Sequence, residues 1–200
     1  LVRANVSDLL ASGAEPAEAL LTLGWPKARG EAEIAAFAAA LGDELAAWGA
    51  QLIGGDTVTN PQGLFLSLTL TGRCLSDAPV RRTTAKTGDF VWLTGCVGGA
   101  ARGWDVLSEG AARPAKRGVS APWVDAYRLP TLPPLATAGL VARHASAAMD
   151  VSDGLLIDAR SLAEASAVGL EIDLGAVPFA GGAEDEAEML KLATWGDDYQ

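Results

Sequence analysis

Two hundred residues, half of them apolar, suffice for a substantial core and for one or two domains. The net charge of −10, with no basic stripe to offset it, excludes a nucleic-acid or anionic-lipid surface, and no apolar run is long enough for a membrane helix. Such a chain meets phosphates through divalent metal and backbone amides rather than lysine clusters. There is no basic leader with a small-residue cleavage site. Cys74 and Cys96 fit no metal-ligand spacing and read as small core residues in a reducing cytosol. The opening "LVRANVSDLL", without an initiator Met, and the close on "WGDDYQ" read as a segment of a longer protein.

In chain order, "ANVSDLLASGAEP" predicts a short helix capped by Asn5 or Ser7, with Asp8 in its first turn and Gly13 and Pro16 as its stop. "ALLTLGW" (19–25) predicts a buried strand. Residues 31–50 place Ile34, Phe37, Leu41, Leu45 and Trp48 at helical spacing, as a core-facing stripe. "QLIGGDT" predicts a strand ending in a turn, and "LFLSLTLTGRC" (64–74) alternates as a strand does. The polar "DAPVRRTTAKTGD" is the candidate domain boundary. After it, "DFVWLTGCVGGAARG" (89–103) predicts a strand, a glycine-rich turn and a helix start. Residues 105–135 hold five of the ten prolines and read as irregular. "LATAGLVARHA" predicts a helix, "SAAMDVSDG" a strand, "LLIDARSLAEASA" a helix, "GLEIDLGAVP" a strand and "EDEAEMLKLATWGDDYQ" a helix running into an acidic site. Alternating strands and helices indicate an α/β fold.

Four motifs place carboxylates at a strand end or helix start: "NVSDL" with Asp8, "GGDT" with Asp56, "DVSDG" with Asp150 and Asp153, and "WGDDY" with Asp197 and Asp198. Open α/β sheets bind ligands beside such ends. Hard carboxylate oxygens suit Mg²⁺, which completes its shell with water and phosphate oxygens, and such sites fit phosphoryl transfer. Any one motif is also ordinary turn and capping chemistry; doubled aspartates are not needed for capping. "TGCVGGAARG" is not GxGxxG, and no acidic residue ends a second strand about twenty positions on, so a phosphate-cradling or merely tight turn replaces a dinucleotide reading. His144 has no visible partner and reads as a surface or core-edge residue. The six tryptophans read as core or interface. Arg81 and Arg82 form the basic pair nearest the acidic motifs.

In this order the motifs resemble thiamine-monophosphate kinase, of the AIR-synthase-like superfamily. "NVSDLLASGAEPAEALLTLGWP", "QLIGGDT", "VRRTTAKTGDFVWLTGCVGGAARG", "MDVSDGLLIDARSLAEASAVGLEIDLGAVP" and "GDDYQ" carry the resemblance over nearly the whole chain. It implies an α/β (α+β) two-domain architecture. Residues 1–85 would be the N-terminal sheet domain, incomplete at its start, and 88–200 the C-terminal α/β domain, incomplete at its end. It further implies a cytoplasmic homodimer, with "LFLSLTLTG" near the interface. The implied reaction is transfer of the ATP γ-phosphoryl group to thiamine monophosphate, giving thiamine diphosphate without a covalent enzyme intermediate. Asp8, Asp56, Asp150 and Asp153 would hold Mg²⁺; Gly55, Asp56, Arg82 and Ser152 would contact the nucleotide, with Arg82 on the phosphates. Helix dipoles at Asp8 and Ser152 would add to the charge balance.

The chain departs from that pattern at three places. Gln200 stands where the family has a substrate-contacting glutamate, and Trp195 where the closing motif usually has its first glycine. The family's N-terminal acidic strand has no counterpart here, so the segment alone is expected to be inactive. Two other readings stay open: another ATP-using AIR-synthase-like enzyme, of the hydrogenase-maturation or selenophosphate-synthetase type, and a non-catalytic dimerisation or nucleotide-binding domain.

Overall fold

A computed structural model describes residues 1–110 and 121–200. In chain order the elements are α1 (Val2–Ala11), β1 (Ala14–Trp25), α2 (Glu31–Ala47), β2 (Gln51–Thr59), β3 (Phe65–Cys74), α3 (Gly99–Gly110), α4 (Ala121–Arg128), α5 (Thr137–His144), α6 (Leu155–Ser166), a 3₁₀ turn (Leu174–Ala176) and α7 (Glu186–Thr194). They divide into two units, Leu1–Pro79 with Leu135–Arg143, and Val80–Pro134 with His144–Gln200.

The first unit is a three-stranded sheet of order β2-β1-β3, with β1 parallel to β2 and antiparallel to β3. Along β1, Ala19, Leu21 and Leu23 are buried while Leu20 and Thr22 on the other face are exposed, the alternation of a half-covered sheet. Val6 and Leu10 of α1 and Leu41 and Leu45 of α2 complete this core. Helix α1 starts upstream of the expected cap. Asn5 donates back to the Leu1 carbonyl at 2.9 Å, so Asn5, Ser7 and Asp8 lie inside the helix rather than at its start. Gly13, at φ +69°, turns the chain into β1, which runs through Pro16 instead of starting after it. On α2 only Leu41 and Leu45 of the expected stripe are buried, because this helix covers one edge of a small sheet.

The second unit uses less regular structure. The strands expected at the start of 89–103, in "SAAMDVSDG" (146–154) and in "GLEIDLGAVP" (169–178) do not form. Among the described residues these segments have no neighbouring strand, and a strand without a ladder leaves its backbone unpaired. What remains is a single bridge between Val97 and Phe179. Phe90 and Trp92, in the first of these segments, are 86% and 90% exposed. The core consists of Val97, Val151 and Leu155, with Leu93, Val177 and Phe179 packed against it. The proline-rich stretch expected to be irregular carries the end of α3 and all of α4, with Pro122 in the first turn of α4, where the missing N–H costs nothing. The part of that reading on residues 111–120 lies outside the described residues. Cys74 and Cys96 are exposed rather than core, and no tryptophan is fully buried.

Candidate functional site

In the first unit, Asp56 sits within β2, not in a turn after it: the ladder pairs it with Thr22 and continues to Thr59. The glycines before it explain the difference. The register slips between Ala19 and Leu20, a bulge that admits Ile53, and Gly55 follows at φ +147°. A Cβ at Gly55 would collide with the Leu21 backbone. The two strands therefore approach as only glycine permits, and Asp56 stands on the same open face as Thr22, exposed to solvent. Asp8 lies on the exposed side of α1, its carboxyl pushed above the usual value of 3.8 by partial burial. Its mid-helix position removes the helix-start dipole expected for it.

In the second unit two acidic segments pair. Val151 N–H donates to the Gln200 carbonyl at 3.0 Å, and Tyr199 N–H donates to the Val151 carbonyl at 2.8 Å. This exchange sets "DVSDG" alongside "WGDDYQ". Gly154, at φ +137°, lets the loop approach Thr194 and Trp195 so closely that any Cβ would strike their backbone. Asp150 is buried and Ser152 half-buried. Asp153, Gly196 and Asp197 line one cavity with Ala100, Trp104, Tyr127 and Trp195. Arg82 is exposed, and its carbonyl accepts the Ser166 hydroxyl at 2.7 Å. The Gln200 amide is engaged, donating to the Thr131 carbonyl at 2.7 Å and the Asp198 carbonyl at 3.1 Å.

Two further aspartates build this arrangement. Asp158, only 4% exposed, projects from the first turn of α6 back over the loop. Its Oδ2 accepts the N–H groups of Ser152 (2.8 Å), Asp153 (2.9 Å) and Gly154 (3.2 Å). Asp198 does the same for the glycine-rich turn, accepting from Gly98 N–H at 2.6 Å and Ala100 N–H at 2.9 Å. The turn that could have cradled a phosphate is thus a tight turn closed by the chain's own carboxylate at the start of α3. Likewise the backbone amides at Ser152 serve Asp158, so the dipole contribution expected at Ser152 is spent internally. Asp158 carries little signal in the sequence, because it falls in an ordinary helical run. Its only signal is a buried-side position four residues after Gly154.

Burial pushes the Asp197 carboxyl above 3.8, and the charge of Asp153 pushes it further. Asp198 is raised as well: burial outweighs the N–H bonds that favour its charged form. Two mutually repelling carboxylates on one cavity fit a hard cation, since Mg²⁺ needs only one or two protein carboxylates when phosphate oxygens complete its shell. Among the described residues no group of three metal-ligating side chains gathers.

Residues 1–74 match the AIR synthase related protein N-terminal domain, and residues 86–198 match the C-terminal domain of the same proteins. The chain belongs to the AIR synthase related proteins. Within this family it is 34% identical over 212 aligned positions to the thiamine-monophosphate kinase of Caulobacter vibrioides, covering 100% of this chain and 57% of that one. Its fold superposes on the crystal structure of thiamine-monophosphate kinase from Stenotrophomonas maltophilia K279a with a TM-score of 0.84 at 32% identity, covering 99% of this chain and 64% of the other. It also superposes on AaThiL complexed with AMPPCP and TMP, with a TM-score of 0.86, over 100% of this chain and 64% of that one; at 24% identity this likeness speaks for the fold alone. The chain thus spans less than two thirds of the length of these relatives. The mixed α/β architecture read from the sequence is the one found, in a family that includes the resemblance drawn there.

Proposed function

We propose that the protein transfers the γ-phosphoryl group of ATP directly to the phosphate of thiamine monophosphate, with Mg²⁺, and acts as a cytoplasmic homodimer. The observation that carries this reading is the pairing of "DVSDG" with "WGDDYQ", which puts Asp153 and Asp197 on one cavity. Kinases of this substrate are relatives along the whole chain, and a fold-mate takes AMPPCP and TMP. Asp8, Asp56, Asp150 and Asp153 are the proposed Mg²⁺ ligands. Gly55, Asp56, Arg82 and Ser152 are the proposed nucleotide contacts, Ser152 through its hydroxyl. Mg²⁺, when bound, would neutralise the phosphate charges of donor and acceptor, which is most of what phosphoryl transfer between two anions requires. The protein's own part is to hold the carboxylates in place, through Asp158 for "DVSDG" and the glycine bulge for "GGDT". No helix among the described residues is long and apolar enough to cross a membrane. For the dimer, the open sheet face offers exposed Leu20 and Phe65.

Incubation with ATP, Mg²⁺ and thiamine monophosphate tests this, with thiamine diphosphate read by chromatography. Product that depends on Mg²⁺ and is lost in Asp153→Asn is expected. ATP hydrolysis without thiamine diphosphate would overturn the substrate. Sedimentation equilibrium tests the dimer, and a monomer at all concentrations would overturn it.

A further inference from the structure

The turn that carries Arg82 is pinned by a hydroxyl from the C-terminal end of α6. Ser166, the last residue of that helix, donates to the Arg82 carbonyl at 2.7 Å and accepts the Ala85 N–H at 3.1 Å. In a four-residue turn the first carbonyl and the last N–H often bond to each other. Here the hydroxyl stands between them, which takes an atom that donates and accepts at once. Two other helical hydroxyls of this unit serve their own helices: Ser161 donates to the Ile157 carbonyl at 3.1 Å and Thr194 to the Leu190 carbonyl at 2.6 Å. Ser166 instead reaches a carbonyl 84 positions away. A second hydroxyl holds the same turn, Thr84 donating to the Ser146 carbonyl at 2.6 Å. All of these residues belong to the second unit.

Packing does not explain such anchoring. Arg81, Arg82, Thr83 and Thr84 are all exposed, so the turn buries little and adds little to the core. Arg82 makes no ion pair among the described residues, so what is fixed about it is its backbone. Helix α6 links that backbone to the acidic loop: about 12 Å along the axis from Ser166, Asp158 holds the N–H groups of "DVSDG".

We propose that Ser166 is a positioning residue for Arg82: its hydroxyl shapes the turn from which the guanidinium meets the nucleotide phosphates, and α6 sets that turn in fixed relation to the "DVSDG" loop at its other end. This rests on the nucleotide contact proposed for Arg82. An arginine on a loose loop gives up freedom when it grips an anion, and that loss weakens binding; a turn already held avoids it. The chain around Arg82 lies in no strand or helix that could supply the order, so α6 supplies it.

Two readouts on the full chain test this. Trypsin cleavage after Arg82, located by mass spectrometry, reports on the turn without any nucleotide, and cleavage after Arg160 inside α6 measures general unfolding. Ser166→Ala is expected to speed cleavage after Arg82 about tenfold, with cleavage after Arg160 unchanged, and Ser166→Thr to restore the parent rate. Titration with AMPPCP and Mg²⁺ reads the guanidinium. Ser166→Ala and Arg82→Ala are each expected to weaken binding about tenfold. The double variant should bind no more weakly than Arg82→Ala alone, since a residue that acts through Arg82 then has nothing to act on. Unchanged cleavage after Arg82 in Ser166→Ala, an equal rise after Arg82 and Arg160, or losses of binding that add in the double variant would each overturn the proposal. A turn opened by Ser166→Ala, with AMPPCP binding absent or unmoved by Arg82→Ala, would overturn the nucleotide contact of Arg82 and keep Ser166 as the holder of the turn.

Discussion

In the first unit Asp56 is carried by β2, whose backbone is satisfied by the neighbouring β1. In the second unit Asp153 and Asp197 sit on loops; the N–H groups of Ser152, Asp153 and Gly154 end on the Asp158 side chain, and those of Gly98 and Ala100 in the adjoining turn end on Asp198. Both devices fix a carboxylate at an exposed position, but they fail differently. A ladder distributes the task over many equivalent bonds, so one side chain matters little unless the backbone itself is special, as at Gly55. A loop held by one carboxylate concentrates it, so a single substitution frees several backbone groups at once.

The sharpest way to break this contrast is at Asp158. Asp158→Ala leaves three N–H groups without their acceptor and is expected to lower stability by at least about 3 kcal/mol, measured by urea denaturation. The milder Asp158→Asn should fold and raise the Mg²⁺ concentration needed for activity by about 10- to 100-fold, since it disturbs the support of a ligand rather than the ligand. An unchanged Mg²⁺ dependence would mean that the loop is held by other contacts.

Asp198→Ala comes next, with a cost of about 2–3 kcal/mol from the stranded N–H groups of Gly98 and Ala100. Its pH dependence has a definite sign. Asp198 is raised in the fold above its ordinary 3.8, so the folded protein holds that proton more tightly than the unfolded chain. The stability contributed by this side chain is therefore greatest in acid and declines as pH rises through the raised value. The difference between parent and variant should shrink from pH 4 to pH 7, and a growing difference would contradict the burial argument.

In the first unit, Gly55→Ala is expected to cost about 2–3 kcal/mol, because the added Cβ meets the Leu21 backbone at a φ that disfavours side chains. A larger residue on the bulge at Ile53, which is exposed, should be nearly neutral. Equal effects at both positions would show that the bulge, not the glycine, is the constraint.

The smallest effect is at Glu44, whose carboxylate accepts from Arg3 at 2.7 Å and from the Trp48 indole at 3.1 Å. The Arg3 bond holds its carboxyl below the ordinary 4.5. Its contribution, about 0.5–1 kcal/mol for a half-exposed pair, is present above pH 4.5 and fades as pH falls through the lowered value. The loss caused by Glu44→Gln should therefore grow with pH, opposite to Asp198→Ala, and thermal denaturation at two pH values checks the pair together.

Periodicity made the first unit legible: the alternation in "LFLSLTLTGRC" is β3, and the helical spacing after residue 31 is α2. The helix after "DVSDG" was equally plain, as α6. Apolar runs in the second unit are less legible. "DFVWLT" and "GLEIDL" have strand composition, but a strand exists only by pairing, and pairing is a property of distant neighbours. Capping is less legible too: Asn5, Ser7 and Asp8 have the chemistry of a helix start, yet Leu1 begins the helix and Asn5 bonds back to it.

The amino-acid sequence by itself determined the class of fold and the order of the acidic motifs. These depend on residue type and on spacing along the chain. Only the tertiary structure decided that "GGDT" is a bulged strand, that Asp158 and Asp198 occupy backbone amides of the two acidic-site turns, and that Trp104 meets both Trp195 and Tyr127. Each of these joins groups far apart in sequence, or turns on a backbone angle that no local pattern encodes. Asp198 is 98 residues from the Ala100 N–H it receives, and only the folded chain brings the two together.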